Sequence, residues 1–110
     1  MGAKNHAIIM PDANREATIN ALAGAAFGAA GQRCMAISAA VFVGGMDPWK
    51  QGLKAKAEDL KVTAGHEEGA DVGPLISPES KSRVEGLVQS GIDQVGYLRA
   101  DLKLIYTCRV

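Results

Sequence analysis

From residue 21 to residue 30 every position except Leu22 and Phe27 is alanine or glycine. Ile19, Leu22, Ala23, Ala26, Phe27 and Ala30 fall at helical spacing on one face, which predicts a helix over about residues 13–30. The other small residues, Ala21, Gly24, Ala25, Gly28 and Ala29, let neighbouring backbone approach closely but bury little apolar surface themselves. The whole chain shares this bias, being 47% hydrophobic with only 5% aromatics and 13 glycines in 110 residues. Such a chain is expected to pack against more protein than it contains, as part of a domain.

Several function classes drop out on charge and patterning. With 12 basic and 12 acidic side chains the chain is formally neutral, and its scattered Lys and Arg make no face for phosphates, so nucleic acid is not an expected partner. Residues 21–44 are long and apolar, but Gln32 and Arg33 stand in the middle. An arginine at mid-bilayer costs about 2.5–3.5 kcal/mol, which alanine and glycine do not offset, so no membrane span is expected. The first ten residues hold too short an apolar run for a signal peptide, lack the Arg-rich character of a presequence, and miss the myristoylation pattern. Cys34 and Cys108 form neither a disulfide framework nor a zinc ligand set, and no metal site is expected.

Strands and helices alternate. Residues 7–10, with Ile8 and Ile9 stopped by Pro11, read as a buried strand, and Asp12 as the cap of the following helix. A short helix or turn over residues 34–40 leads to a second strand at Val41, Phe42 and Val43. Asp47-Pro48 reads as a cap and first helical position, followed by the apolar face Trp49, Leu53, Ala57 and Leu60. Lys50, Lys54, Lys56 and Lys61 form the wet side of that helix. Residues 63–76 read as loop, Ser77-Pro78 starts a helix carrying Val84, Leu87, Val88 and Ile92 with Gly91 near its end, and residues 102–110 form a possible third strand. The order implies an α/β layer arrangement.

Chemistry is most legible in residues 27–36, where a helix ends at glycine, the chain turns, and Cys34 is presented where a new helix can begin. Free amides and the dipole of such a start favour a thiolate, and Arg33 adds a planar cation suited to a carboxylate. The residues alone leave open a second reading, in which Cys34 is a small buried hydrophobe.

Gly31-Gln32-Arg33-Cys34-Met35-Ala36 resembles the catalytic cysteine motif of aldehyde dehydrogenases. Gly2-Ala3-Lys4-Asn5, followed by Ile8-Ile9-Met10-Pro11-Asp12-Ala13, resembles the glycine-lysine motif and strand that precede that cysteine, and Gly73-Pro74-Leu75-Ile76 resembles the Gly-Pro loop of the family. Arg33 before the cysteine, Met35 after it, and His6 and Pro11 upstream are similar to the CoA-acylating methylmalonate-semialdehyde dehydrogenase branch. The resemblance covers residues 1–94, as a partial catalytic domain with its nucleophile loop. Residues 95–110 depart from the pattern as a divergent tail.

The resemblance implies a three-layer αβα catalytic domain and a mechanism. Cys34 attacks an aldehyde, an oxyanion is held by its own backbone amide and an upstream asparagine, hydride passes to NAD, and CoA takes the acyl group from the resulting thioester. Arg33 maps onto the arginine that holds the carboxylate of methylmalonate or malonate semialdehyde, which leaves as carbon dioxide to give propionyl-CoA or acetyl-CoA. The resemblance further implies a homo-oligomer, and a mitochondrial location in a eukaryote or a cytoplasmic one otherwise. The upstream asparagine, the downstream glutamate and the glycine-rich nucleotide fold are not among these residues, so no cofactor-binding residue is assigned. The 110 residues alone are expected to be inactive, and the competing reading is a truncated product that only associates with full-length subunits. His6 is expected to bond locally; His66, Glu67, Glu68 and Asp71 form a solvated acidic loop without metal-ligand spacing; Cys108 has no assigned role.

Overall fold

The first strand lies before Pro11 as expected, but it spans residues 5–9 and not the expected 7–10. The computed structural model describes residues 2–95 and contains β1 (Asn5–Ile9), α1 (Arg15–Phe27), a single 3-10 turn (Gly28–Gly31), β2 (Ile37–Phe42), α2 (Asp47–Glu58) and α3 (Pro78–Val95). β1 and β2 pair in parallel from Asn5 with Ile37 to Ile9 with Phe42, with a register irregularity between Asn5 and His6. The expected α/β class holds. The possible strand at residues 102–110, together with Cys108, lies outside the described residues.

Three local expectations are corrected. The cap of α1 is Asn14, whose side-chain oxygen accepts from the Ala17 amide at 3.0 Å, and not Asp12. Pro11 and Asp12 are consumed in a turn closed by the Ala13 N–H donating to the Met10 carbonyl, which delays the helix by two residues. α2 begins one residue earlier than expected: Met46 flanks it and its carbonyl accepts from the Trp49 and Lys50 amides, so Asp47 lies inside the first turn, at the positive end of the dipole. β2 occupies much of the stretch read as helix or turn. Only residues 34 and 35 form a turn, and the strand then starts at Ile37.

α1 lies against α2 and β2 and closes a small core of Ile9, Ile19, Leu22 and Trp49, flanked by Ala7, Ala13, Ile37, Phe42 and Leu53. The rings of Phe42 and Trp49 meet at 6.0 Å between centroids, tilted by 36°. Gly52 lets α2 come close, since a Cβ there would lie 2.5 Å from Ile19 Cδ1. α3 starts as predicted at Ser77, whose hydroxyl accepts from the Ser80 amide at 3.2 Å, and it runs four residues past Gly91. The segment read as loop is held by its own polar groups. Asp71 accepts from the Lys61 amide at 2.9 Å, the Thr63 hydroxyl donates to Glu67 at 2.7 Å, Lys61 Nζ donates to the Glu68 carbonyl, and Val62 bridges Val72. Lys61 thus belongs to this loop and not to the wet side of α2. Among the described residues no helix is long and apolar enough to cross a membrane, and no group of three or more His, Cys, Asp or Glu could hold a metal ion.

Leu22→Ala should lower unfolding stability by about 2–5 kcal/mol, because it empties the centre of the core, whereas Leu87→Ala, at a side chain 59% exposed, should change it by less than about 0.5 kcal/mol. Urea titrations followed by the fluorescence of Trp49, the single tryptophan, read both. The Glu79 carboxyl is held below its ordinary value of 4.5, first by a backbone amide of its own turn and then by the Ser77 hydroxyl. A carboxylate stabilised this way supports α3 fully above pH 4.5 and loses that support as pH falls below it. Glu79→Gln should therefore flatten the acid limb of helix loss in circular dichroism between neutral and acid pH.

Candidate active site

The end of α1 is reversed within three residues. Ala29 (φ 52°), Ala30 (φ 54°) and Gly31 (φ 72°) all take the left-handed conformation, which glycine accepts freely and alanine adopts at a cost of about 1–2 kcal/mol. The break therefore comes before the predicted Gly31-Gln32, and two alanines make it. The reversal brings Gln32, Arg33, Cys34 and Met35 onto an exposed turn closed by the Ala36 N–H donating to the Arg33 carbonyl at 3.1 Å.

Cys34 is an exposed free thiol, so the reading of a buried hydrophobe does not hold. No helix starts at it. The expected support from a helix dipole is absent, because the turn feeds β2. Three neighbouring side chains fasten the motif instead. Asn5 Nδ2 donates to the carbonyls of Cys34 (2.7 Å) and Ala36 (3.0 Å). Gln32 donates through Nε2 to the carbonyls of Ala29 (3.0 Å) and Pro74 (3.5 Å), and its Oε1 accepts from the Ile76 amide at 2.9 Å. Arg33 Nη2 donates to the carbonyls of Gly24 (3.0 Å) and Ala25 (3.2 Å), near the C-terminal end of α1.

The three stretches that carry the family resemblance are thus one cluster: Asn5 comes from the first, Gln32, Arg33 and Cys34 from the second, and Pro74 and Ile76 from the third. Sequence reasoning had no role for Asn5 or Gln32, because the partners of both carboxamides are backbone groups and most of them are 29–44 residues away. His6 bonds locally, its Nδ1 lying 2.7 Å from the Lys4 carbonyl. His66 is exposed in the 61–72 loop, away from these contacts. β1 enters α1 through Pro11 and Asp12, and the Asn14 side chain closes the helix start, so the glycine turn that a dinucleotide needs there is not present.

Gln32→Ala should release the Gly-Pro loop while leaving the core intact. The Ile76 amide should then exchange with solvent about fivefold faster, as expected for losing a bond worth about 1 kcal/mol, with exchange at Leu22 unchanged. Residue-resolved hydrogen exchange tests this, and equal acceleration at both sites would contradict it.

The model of the aldehyde dehydrogenase family matches residues 1–102. The methylmalonate-semialdehyde/malonate-semialdehyde dehydrogenase [acylating], mitochondrial, of Rattus norvegicus is 59% identical over 91 residues, 83% of this chain and 17% of that protein. The crystal structure of methylmalonate-semialdehyde dehydrogenase (DddC) from Oceanimonas doudoroffii superposes with a TM-score of 0.79 at 43% identity, covering 84% of this chain and 20% of that one. The 1-pyrroline-5-carboxylate dehydrogenase from Thermus with bound NAD superposes with a TM-score of 0.76 at 28% identity, covering 84% and 18%. The chain therefore spans about a fifth or less of the length of these relatives. The segment superposes on one part of a known fold, and the chain belongs to the aldehyde dehydrogenase family.

Proposed function

We propose that this chain carries the nucleophile of a CoA-acylating, NAD-dependent methylmalonate- or malonate-semialdehyde dehydrogenase, and that Cys34 is that nucleophile. The observation that carries the reading is the exposed thiol on a turn held by Asn5 and Gln32, within a chain 59% identical to a rat enzyme of that name.

In this reading Cys34 Sγ, as thiolate, forms a bond to the aldehyde carbon while the carbonyl π pair moves onto oxygen, and the amide of Cys34 is the donor this chain offers to that oxyanion. NAD, when bound, supplies the hydride acceptor that takes the hydrogen from the same carbon. The sulfur then holds an acyl thioester. The carboxylate of the acyl group leaves as carbon dioxide, its bonding pair passing to the α-carbon, which takes up a proton. The CoA thiolate attacks the thioester carbonyl and Cys34 departs as thiolate, ready for another cycle; a sulfur suits both roles because it attacks well and leaves well.

Arg33 is the residue proposed to hold the substrate carboxylate. One of its terminal nitrogens already serves the end of α1, so the carboxylate would be met by the remaining N–H groups of the fork. A homo-oligomeric enzyme in the mitochondrion of a eukaryote is the proposed setting, supported by the mitochondrial names of the rat and human relatives. The 110 residues by themselves are proposed to be inactive, a reading supported by their spanning about a fifth or less of the length of these relatives.

In a complete enzyme carrying this segment, Cys34→Ala should abolish NADH formation from malonate semialdehyde with CoA, and retained turnover would refute the nucleophile. Arg33→Ala should raise KM for the carboxylated aldehyde about tenfold to a hundredfold while leaving propanal within about threefold. Equal losses for both aldehydes would reduce Arg33 to a brace on α1.

A further inference from the structure

Among the described residues nothing buries the nucleophile turn: Gln32, Arg33, Cys34 and Met35 are all exposed, Met35 by 69%. Within this segment it is hydrogen bonds, and not side-chain packing, that fix its direction. Of these, the pair from Asn5 is the one that reaches the carbonyl of the cysteine itself. Its single Nδ2 donates to the carbonyls of Cys34 at 2.7 Å and Ala36 at 3.0 Å. An amide nitrogen has two hydrogens, so one side chain makes both bonds and spans the turn across Met35.

Asn5 also belongs to the sheet. Its backbone pairs with Ile37 as the end rung of the β1–β2 ladder, separated from the His6–Ala39 rung by the register slip. The carboxamide extends the cross-strand bonding beyond that end rung, from Ile37 back to Ala36 and Cys34. Fixing the Cys34 carbonyl fixes the plane of the peptide that follows the cysteine, and with it the rotation about the Cys34 Cα–C bond. The main chain at Cys34, from which the thiol projects, is thereby given a set direction relative to the sheet.

We propose that Asn5 is a positioning residue for Cys34: by bridging the Cys34 and Ala36 carbonyls it holds the thiol and the oxyanion-binding amide in the geometry of attack. The proposal rests on Cys34 being the nucleophile. An alanine at position 5 has no donor, and an aspartate of the same shape turns two attractive contacts into repulsive ones, so the turn would keep its sequence and lose its aim.

The test is a single turnover in a complete enzyme carrying this segment, with semialdehyde and NAD present and CoA left out. One NADH forms per competent Cys34; its amplitude counts folded sites and its rate reads the attack and hydride steps. Asn5→Ala and Asn5→Asp should keep the amplitude and lower the rate about 10²-fold, the scale of a misplacement near 1 Å. The ratio of the aspartate to the alanine variant's rate should climb as pH falls toward the carboxylic range, where the neutral acid regains one donor. An unchanged rate in both variants would overturn the proposal. So would lost amplitude at an unchanged rate, or lost amplitude in both variants, since Asn5 would then serve folding alone. Undiminished NADH formation by Cys34→Ala would refute the nucleophile reading itself and leaves a different signature from any of these.

Discussion

The reversal at Ala29, Ala30 and Gly31 is the constraint on which the arrangement of the site depends. An α-helix ending with free carbonyls would carry residues 32–36 onward along its axis, away from β1. Three successive left-handed residues turn the chain back, so that Arg33 meets the carbonyls of Gly24 and Ala25 and Cys34 comes within reach of Asn5. Two alanines in that conformation cost about 1–2 kcal/mol each. The opposing contributions are local: the Gln32 amide and side chain both donate to the Ala29 carbonyl at 3.0 Å, and the Arg33 guanidinium donates to the carbonyls of Ala25 and of Gly24, the latter shared with the Gly28 amide. Strain of this kind persists only where surrounding contacts over-determine it, and here those contacts are made by the motif that carries the thiol.

Packing and hydrogen bonding divide the work between two halves of the segment. Under α1 and α2 the chain is held by apolar contact, with Ile9, Ile19, Leu22 and Trp49 as its centre. On the exposed side the positioning is polar and depends on carboxamides and one guanidinium. The sheet itself is lopsided. Ile9 and Phe42 face the core, while Ile8 and Val41, paired across the other face, are 71% and 49% exposed, with Met10 and Val43 beside them. Parallel strands are characteristically apolar on both faces because larger α/β layers cover both, and β1 and β2 have that composition with one face covered by the described residues.

Periodicity made much of this legible. Ile19, Leu22 and Ala23 marked the buried face of α1, Trp49 and Leu53 that of α2, and Pro11 the end of β1, because those signals depend on neighbours in sequence. Where the reading slipped, two local solutions competed. Asp12 and Asn14 are both good caps, and only the turn from Met10 to Ala13 decides between them. β2 starts earlier than its sequence suggests because Ser38, Ala39 and Ala40 are poor strand formers whose propensity the pairing with β1 overrides. The alanines at 29 and 30 carried no warning at all, since alanine is the residue least associated with a helix break. At the site, the motif singles out Cys34 and Arg33 as candidates, whereas Asn5 and Gln32 act on backbone carbonyls and amides that no residue type advertises.

Gly28 shows why the small residues of α1 belong to the site as well as to the packing. A Cβ at that position would lie 2.8 Å from Arg33 Nη2 and 3.1 Å from its Cζ, closer than a methyl group tolerates. The guanidinium lies across the space that glycine leaves, and from there it reaches the carbonyls of Gly24 and Ala25. A larger residue at position 28 would lift the arginine off the helix end and loosen the reversal that places Cys34. The alanine and glycine run at residues 21–30 thus does more than admit neighbouring backbone: its last glycine is the seat of the Arg33 side chain, next to Cys34. The same seat bears on the role proposed for that arginine, because a fork with one nitrogen committed to the helix has only its other N–H groups left for a carboxylate at the turn.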